Sequence, residues 1–131
     1  MAMFSRRRTP STPLDGVDAV LADLDGVVYA GAGALPWAVE SLSALGERRL
    51  GFITNNASRT DEAVAEHLRE LGLATQASDV VTSPQAATRL LRTRVEPGAT
   101  ILVVGGEGLV VELENAGYAV TRSAEDSPAA V

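Results

Sequence analysis

Residues 20–29 read Val20-Leu21-Ala22-Asp23-Leu24-Asp25-Gly26-Val27-Val28-Tyr29. The apolar run from Val17 to Asp23 lies between two glycines, which is typical of a short buried strand. Alternate side chains of a strand point to the same side, so we expect Asp23 and Asp25 to converge where this strand ends. In open α/β sheets, ligands bind at the carboxyl ends of the strands.

Two carboxylates this close repel each other unless a cation or a shared proton offsets their charge. Their hard oxygen atoms suit Mg²⁺, which proteins usually bind through one or two carboxylates. One aspartate can also act as a nucleophile, and the second as a general acid and base. The residues alone leave an alternative open, in which Asp23 and Asp25 are two solvated acids at a strand end.

Strand-like and helix-like segments alternate along the rest of the chain. Apolar runs predict further strands at 50–54, 100–104 and 118–120. Helix starts are indicated at Pro36, at Thr60 with two acidic residues after it, at Ser83-Pro84, and after the glycines 105–108. This order predicts an α/β fold, with a Rossmann-like parallel sheet and flanking helices. Residues 121–131 show no core element.

Composition excludes several classes of function. The chain of 131 residues has no cysteine and one histidine, which excludes thiol catalysis and multi-histidine metal sites. Its net charge of −6 argues against nucleic-acid binding, and no apolar run is long enough to cross a membrane. Residues 1–16 lack the apolar core of a signal peptide, so we expect a flexible tail on a cytoplasmic protein.

A second polar segment, Thr54-Asn55-Asn56, follows the second predicted strand. In a parallel sheet it would lie at the same edge as the two aspartates. Its hydroxyl and backbone amides could donate charge-assisted hydrogen bonds to an anionic oxygen. An ordinary Asn-Asn turn explains the same residues, because asparagine tolerates left-handed backbone angles.

Two segments carry a resemblance to a known family. The first is Ala22–Gly31, which contains Asp23-Leu24-Asp25-Gly26-Val27. The second is Gly51–Thr60, which contains Thr54-Asn55-Asn56-Ala57-Ser58-Arg59-Thr60. Together they resemble the haloacid dehalogenase-like superfamily. The likeness is greatest to its branch of p-nitrophenyl, phosphoglycolate and sugar- or nucleotide-phosphate phosphatases, and it covers roughly 17–120. It implies a Mg²⁺-dependent phosphomonoester hydrolase that acts through an aspartyl-phosphate on a small phosphorylated metabolite, such as a sugar, glycolate, glycerol or nucleotide phosphate. The resemblance implies Asp23 as nucleophile and Asp25 as general acid and base. It implies both as Mg²⁺ ligands, Asp25 through its main-chain carbonyl. The implied substrate-binding residues are Thr54, Asn55, Asn56 and Gly26.

The sequence departs from this family pattern in two respects. All eleven basic residues are arginines, so the family's lysine has no counterpart. No second acidic pair follows a strand after Val104. We therefore expect residues 17–120 to be the N-terminal part of a phosphatase core, with 121–131 a stub leading to an absent cap domain. Such a fragment is expected to be inactive alone, and its exposed sheet edge favours a homo-oligomer.

A rival interpretation starts from the turn Gly105-Gly106-Glu107-Gly108. A glycine turn between strand and helix can bind the pyrophosphate of a dinucleotide, which would make the chain a nucleotide-binding module without hydrolytic activity. The full glycine fingerprint is incomplete here, and Glu107 would repel a phosphate. A tight strand-to-helix turn is the simpler interpretation. We also expect His67 to be a partly buried structural residue and Arg59 to lie at the surface or to cap a helix.

Overall fold

The computed structural model describes residues 12–131, so residues 1–11 of the expected tail lie outside the described part. The strands are β1 Ala19–Asp23, β2 Tyr29–Ala30, β3 Gly33–Ala34, β4 Arg49–Thr54, β5 Val80–Thr82, β6 Thr100–Leu102 and β7 Ala119–Thr121. The α-helices are α1 Ala38–Ser43, α2 Asp61–Glu70, α3 Ser83–Leu91 and α4 Glu107–Asn115, and short 3-10 helices span Ala77–Asp79 and Ala124–Asp126. The α/β fold class is therefore confirmed.

The first sheet has three parallel strands in the order β1-β4-β5. The sequence predicts β1 and β4 but not β5, which is three residues long and runs directly into α3. The register places Asp23 opposite Ile53, and Thr54 opposite Thr82. The last residues of all three strands therefore lie side by side along the carboxyl edge.

Side chains alternate between the two faces of this sheet. One face packs against α2, with Ala22, Phe52 and Val80 contacting Val64 and Leu68 in a single apolar core. The apolar residues of the other face remain accessible to solvent: Leu21 is 70% exposed, Ile53 43% and Val81 47%. The sheet is thus covered on one side only within residues 12–131.

The strands β6 and β7 form a separate parallel pair with its own core. That core consists of Ile101, Val103, Leu113 and Tyr118. The expectation that all predicted strands share one sheet is therefore wrong. Leu113 of α4 packs with Ile101 of β6 in this second core. The unit formed by β6, α4 and β7 therefore has a core of its own.

The last residues also contribute to this second unit, which the sequence did not indicate. The amide of Ala129 donates to the carbonyl of Thr100 (2.8 Å), and the amide of Leu102 donates to the carbonyl of Ala130 (2.9 Å). Ala130 also packs against the second core. The domain boundaries expected at residues 17 and 120 stay predictions.

Within residues 12–131, none of the helices has the length and apolar character needed to cross a lipid bilayer.

Candidate active site

The carboxyl edge of the first sheet brings together the ends of three strands. Asp23, Thr54 and Asn55 line one cavity of about 480 Å³ there, together with Thr82 and Ser83 from the end of β5 and the start of α3. Sequence reasoning assigned the first three residues to the site and missed the last two. From the sequence, Ser83-Pro84 is interpreted only as the start of a helix, and Thr82 is assigned no role in the site.

The two aspartates lie as the alternation of a strand requires. Asp23 and Asp25 are exposed, whereas Leu24 between them is fully buried at 0% exposure. Asp23 Oδ1 accepts a hydrogen bond from the amide of Leu24 (2.8 Å), which fixes the carboxylate at the strand end. Asp25 lies beyond the end of β1, and the convergence of the two carboxylates on one spot stays a prediction.

A tight loop follows Asp23 and returns the chain toward the site. The carbonyl of Leu24 accepts the amides of Val27 (3.1 Å), Val28 (2.9 Å) and Tyr29 (3.3 Å), and the amide of Gly26 donates to the carbonyl of Tyr29 (2.8 Å). Gly26 has φ 81°, in the left-handed region that only glycine enters at little cost. Asp25 and Gly26 belong to this loop and are outside the lining of the cavity.

The segment after β4 is a turn stabilised by its own side chains. Thr54 is buried, and its Oγ1 accepts the amide of Asn56 (3.1 Å). Asn56 Oδ1 in turn accepts the amide of Ser58 (2.9 Å) and also the Ser58 hydroxyl. Neither Asn55 nor Asn56 has a positive φ, so side-chain hydrogen bonds, and not left-handed asparagines, stabilise this segment. The hydroxyl proton of Thr54 stays available to a ligand, since a hydroxyl both accepts and donates.

The pKa of the Tyr29 phenol is influenced by both aspartates and by Arg59. Burial raises the pKa of the Tyr29 phenol, the Asp25 carboxylate raises it further, Arg59 lowers it, and Asp23 raises it. All three charged side chains therefore lie within electrostatic range of one phenol. From the sequence we expect Arg59 to lie at the surface or to cap a helix, and its exposure confirms the first of these. Tyr29 has no role in the sequence-based expectations.

His67 has the structural role expected from the sequence. Its side chain is 12% exposed, and Nδ1 lies 3.5 Å from Glu70 Oε2. Its ring meets the Tyr29 ring edge to face, with centroids 4.9 Å apart. The histidine ring therefore packs against the Tyr29 ring.

The donor set at the strand end suits a hard divalent cation. Within residues 12–131, no three His, Cys, Asp or Glu side chains are grouped to hold a metal ion. Mg²⁺ does not require three, because it commonly binds one or two carboxylates and completes its shell with water and substrate phosphate. The exposed carboxylate of Asp23 and the main-chain carbonyl of Asp25, the two ligands that the family resemblance implies, fit that requirement.

The glycine turn before α4 does not have the space that a dinucleotide needs. The backbone of Ser58 and Arg59 lies against Gly106 and Gly108, where a pyrophosphate would have to approach. This contact argues against the rival interpretation of the turn.

Comparison with known proteins shows a consistent relationship. The family model described as haloacid dehalogenase-like hydrolase matches residues 20–119. A D-glycerol 3-phosphate phosphatase from Mycobacterium tuberculosis is 47% identical over 114 residues, which are 87% of this chain and 32% of the relative. The chain spans about a third of the length of the curated relatives it matches.

Solved structures agree with the sequence comparison. The crystal structure of a glycerol phosphate phosphatase from M. tuberculosis in complex with magnesium matches with a TM-score of 0.79 and 45% identity, over 87% of this chain and 35% of that one. NagD from E. coli K-12 matches with a TM-score of 0.67 and 31% identity, over 80% of this chain and 42% of that one. The resemblance predicted from the two motifs is confirmed.

Proposed function

Since the chain belongs to the haloacid dehalogenase-like hydrolase family, we propose that it carries the nucleophile and the phosphate-binding loop of a Mg²⁺-dependent phosphomonoester phosphatase. One observation carries this proposal most directly. The carboxylate of Asp23 and the hydroxyl of Thr54, at the ends of adjacent parallel strands, line the same cavity.

In the proposed reaction, an oxygen of Asp23 attacks phosphorus and the bond from phosphorus to the ester oxygen breaks. Asp25 gives its proton to the departing oxygen, so the alcohol leaves neutral. Asp25 then takes a proton from water, which attacks phosphorus and releases phosphate and free Asp23.

The surroundings of Asp23 support this chemistry. Thr54 would donate its hydroxyl hydrogen bond to a phosphoryl oxygen, a charge-assisted bond stronger than a neutral one. When bound by Asp23 and Asp25, Mg²⁺ would reduce the repulsion between the attacking carboxylate and the phosphoryl oxygens. The hydrogen bonds to the carbonyl of Leu24 hold the loop that carries Asp25 and Gly26.

We propose a small phosphorylated metabolite as substrate, with glycerol phosphate as the favoured class. The support is the relative from M. tuberculosis, which is named a D-glycerol 3-phosphate phosphatase. A cytoplasmic location is part of the same proposal, because it is where such metabolites are expected. Isothermal titration with glycerol 3-phosphate and glucose 6-phosphate in Mg²⁺ tests the substrate class. Tighter binding of glucose 6-phosphate than of glycerol 3-phosphate would contradict glycerol phosphate as the favoured class.

We further propose that these 131 residues bind phosphate but do not turn it over. The chain contains no lysine, and a cation beside the transferring group usually supplies a large share of the acceleration in phosphoryl transfer. An assay with p-nitrophenyl phosphate and Mg²⁺ tests this. Turnover that is abolished in Asp23→Asn would contradict inactivity and would support the assigned nucleophile.

Titrations of Mg²⁺ and inorganic phosphate test the binding site itself. We expect Asp23→Asn to lose Mg²⁺ binding, while Asp18→Asn, which changes an exposed carboxylate just before β1, retains it. In Mg²⁺, Thr54→Val should weaken phosphate binding by about tenfold, the value of one charge-assisted hydrogen bond. Thr75→Val is the matched control, because Thr75 is equally buried but its hydroxyl donates to Leu73. Unchanged binding in Asp23→Asn and Thr54→Val would overturn the proposal.

A further inference from the structure

The start of α4 is bound by a loop that lies about fifty residues earlier in the chain. Gly106 is the N-cap of α4, and no side chain caps the helix there. The amide of Gly108 in the first turn donates to the carbonyl of Ser58 (3.4 Å). Free amides at a helix N-terminus need such partners, so a backbone carbonyl after β4 acts as the cap.

Two glycines make this contact possible by their lack of a side chain. A Cβ on Gly108 would lie 2.3 Å from the carbonyl oxygen of Arg59 and 2.6 Å from its carbon. A Cβ on Gly106 would lie 2.7 Å from the Cα of Ser58. Gly106 has φ −82°, and Gly108 is not among the glycines with positive φ. Glycine is therefore required at both positions because there is no room for a Cβ, and not because the backbone angle is unusual.

The neighbouring residue Gly105 is not under this constraint. A Cβ there would lie 3.2 Å from a methyl group of the Leu109 side chain, which is flexible. The carbonyl of Gly105 accepts a hydrogen bond from Arg122 Nη1 (3.0 Å), which also donates to the carbonyl of Val103 (2.8 Å). Arg122 thus holds the glycine turn from the side of the second unit.

The loop that caps α4 continues directly from the proposed phosphate-binding segment. Ser58 donates its amide to Asn56 Oδ1, and Asn56 donates its amide to Thr54 Oγ1. A displacement of Ser58 would therefore pass through two hydrogen bonds to the hydroxyl of Thr54. This chain of contacts runs from the second unit to the cavity at the first sheet.

We propose that Gly106 and Gly108 are positioning residues, which seat α4 against 57–59 and thereby hold Thr54 and Asn56 in the geometry that binds phosphate. The inference rests on the proposed function, because it names what sets the geometry of that site. On this proposal, the glycine turn neither binds a dinucleotide nor serves only as a tight strand-to-helix turn. Only glycine at both positions lets the two backbones approach this closely.

Gly108→Ala and Gly105→Ala form a matched pair for the test. Both add one methyl group to the same turn, but only the first meets backbone atoms. In ¹H–¹⁵N spectra we expect Gly108→Ala to shift the amides of Asn56 and Ser58, and Gly105→Ala to leave them unchanged. Titration with inorganic phosphate in Mg²⁺ should show about tenfold weaker binding for Gly108→Ala and little change for Gly105→Ala.

The outcomes separate this inference from the proposed function. If the wild-type chain does not bind phosphate, the proposed function fails, and the role in phosphate binding fails with it. If the wild type binds phosphate and Gly108→Ala binds it equally well, or leaves the loop amides in place, the positioning role alone is overturned. Far-UV circular dichroism shows whether Gly108→Ala folds. If it does not, Gly106→Ala, whose approach is less severe, takes the same two measurements.

Discussion

The hydroxyl of Ser83 donates a hydrogen bond to the carbonyl of Asn55, and the two oxygen atoms lie 2.9 Å apart. This contact joins the first residue of α3 to the loop after β4, across the mouth of the cavity that both residues line. The loop after Thr54 is thus held from two directions, by Ser83 on one side and by the start of α4 on the other. Both supports lie within residues 20–119, which the family model matches.

Ser83→Ala tests the first support. Loss of one hydrogen bond should lower the free energy of unfolding by about 1 kcal/mol, and the freed Asn55 carbonyl should weaken phosphate binding in Mg²⁺. Urea denaturation and isothermal titration measure the two effects. Ser41→Ala, an exposed serine on α1, is the control and should change neither; equal effects in both variants would contradict the assignment.

The glycine after the two aspartates should be required for its backbone angle. Gly26→Ala places a Cβ at φ 81°, and a left-handed backbone costs an L-residue about 1 kcal/mol or more. We expect a lower urea midpoint for this variant. Gly33→Ala is the matched control, because nothing lies within 4 Å of its added Cβ and its φ is not positive. A Gly26→Ala protein as stable as Gly33→Ala would show that the loop relaxes.

Tyr29 should make stability depend on pH in the alkaline range. Its pKa is raised in the folded protein, first by burial and then by Asp25. The neutral phenol is therefore favoured by folding, and its contribution is complete below the unfolded pKa of about 10. That contribution is lost as the pH rises through the folded pKa. Denaturation at successive pH values should show a shallower alkaline decline for Tyr29→Phe than for Tyr118→Phe, which keeps Tyr29. Equal declines in the two variants would contradict this.

The influence of Asp25 on Tyr29 can be measured directly. Removal of that charge in Asp25→Asn should lower the pKa of the Tyr29 phenol, while burial still keeps it above its ordinary value. Ultraviolet titration of tyrosinate reports this shift, and the chain has only two tyrosines to resolve. Asp18→Asn, which removes a carboxylate that is not among the charges acting on Tyr29, should leave the titration curve unchanged. A curve that is the same in both variants would place Asp25 out of electrostatic range.

The open face of the first sheet should cause self-association. Ile53 and Val81 are paired across β4 and β5, Leu21 lies on the same face of β1, and all three are accessible. Apolar patches of this kind mark interaction surfaces. Size-exclusion chromatography at rising concentration should show oligomers that Ile53→Thr weakens. Val27→Thr, which changes an exposed valine in the loop after β1, should not weaken them. A monomer at all concentrations would contradict the expected homo-oligomer.

The sequence predicts the sheet edge where Asp23 and Thr54 lie because the signals for it are local. The apolar run before Asp23 and the polar segment after Ile53 each mark the end of a strand, and parallel strands bring such ends together. The sequence does not reveal the strand Val80–Thr82, because its apolar run is only two residues long and it passes into α3 without a turn. The equally short β6 and β7 lie in apolar runs of three or more residues. Length is one of the few local signals that separate strands from other apolar segments.

The separation into two sheets could not be predicted from periodicity. Thr100–Leu102 has the same apolar character whether it joins β1 or pairs with β7, because pairing is a tertiary choice. The reason for Gly106 and Gly108 was likewise hidden, since it depends on backbone atoms of Ser58 and Arg59 far away in the chain. A glycine motif shows that space is needed and does not show what occupies it.

The central claim is that Asp23 is the nucleophile for a phosphoryl group. Beryllofluoride mimics a phosphoryl group on an aspartate, so ¹⁹F NMR of the chain with Mg²⁺ and beryllofluoride tests this claim most directly. We expect bound fluoride resonances in the wild type and in Asp18→Asn, and none in Asp23→Asn. Bound resonances that persist in Asp23→Asn, or their absence from the wild type, would contradict the assignment of Asp23.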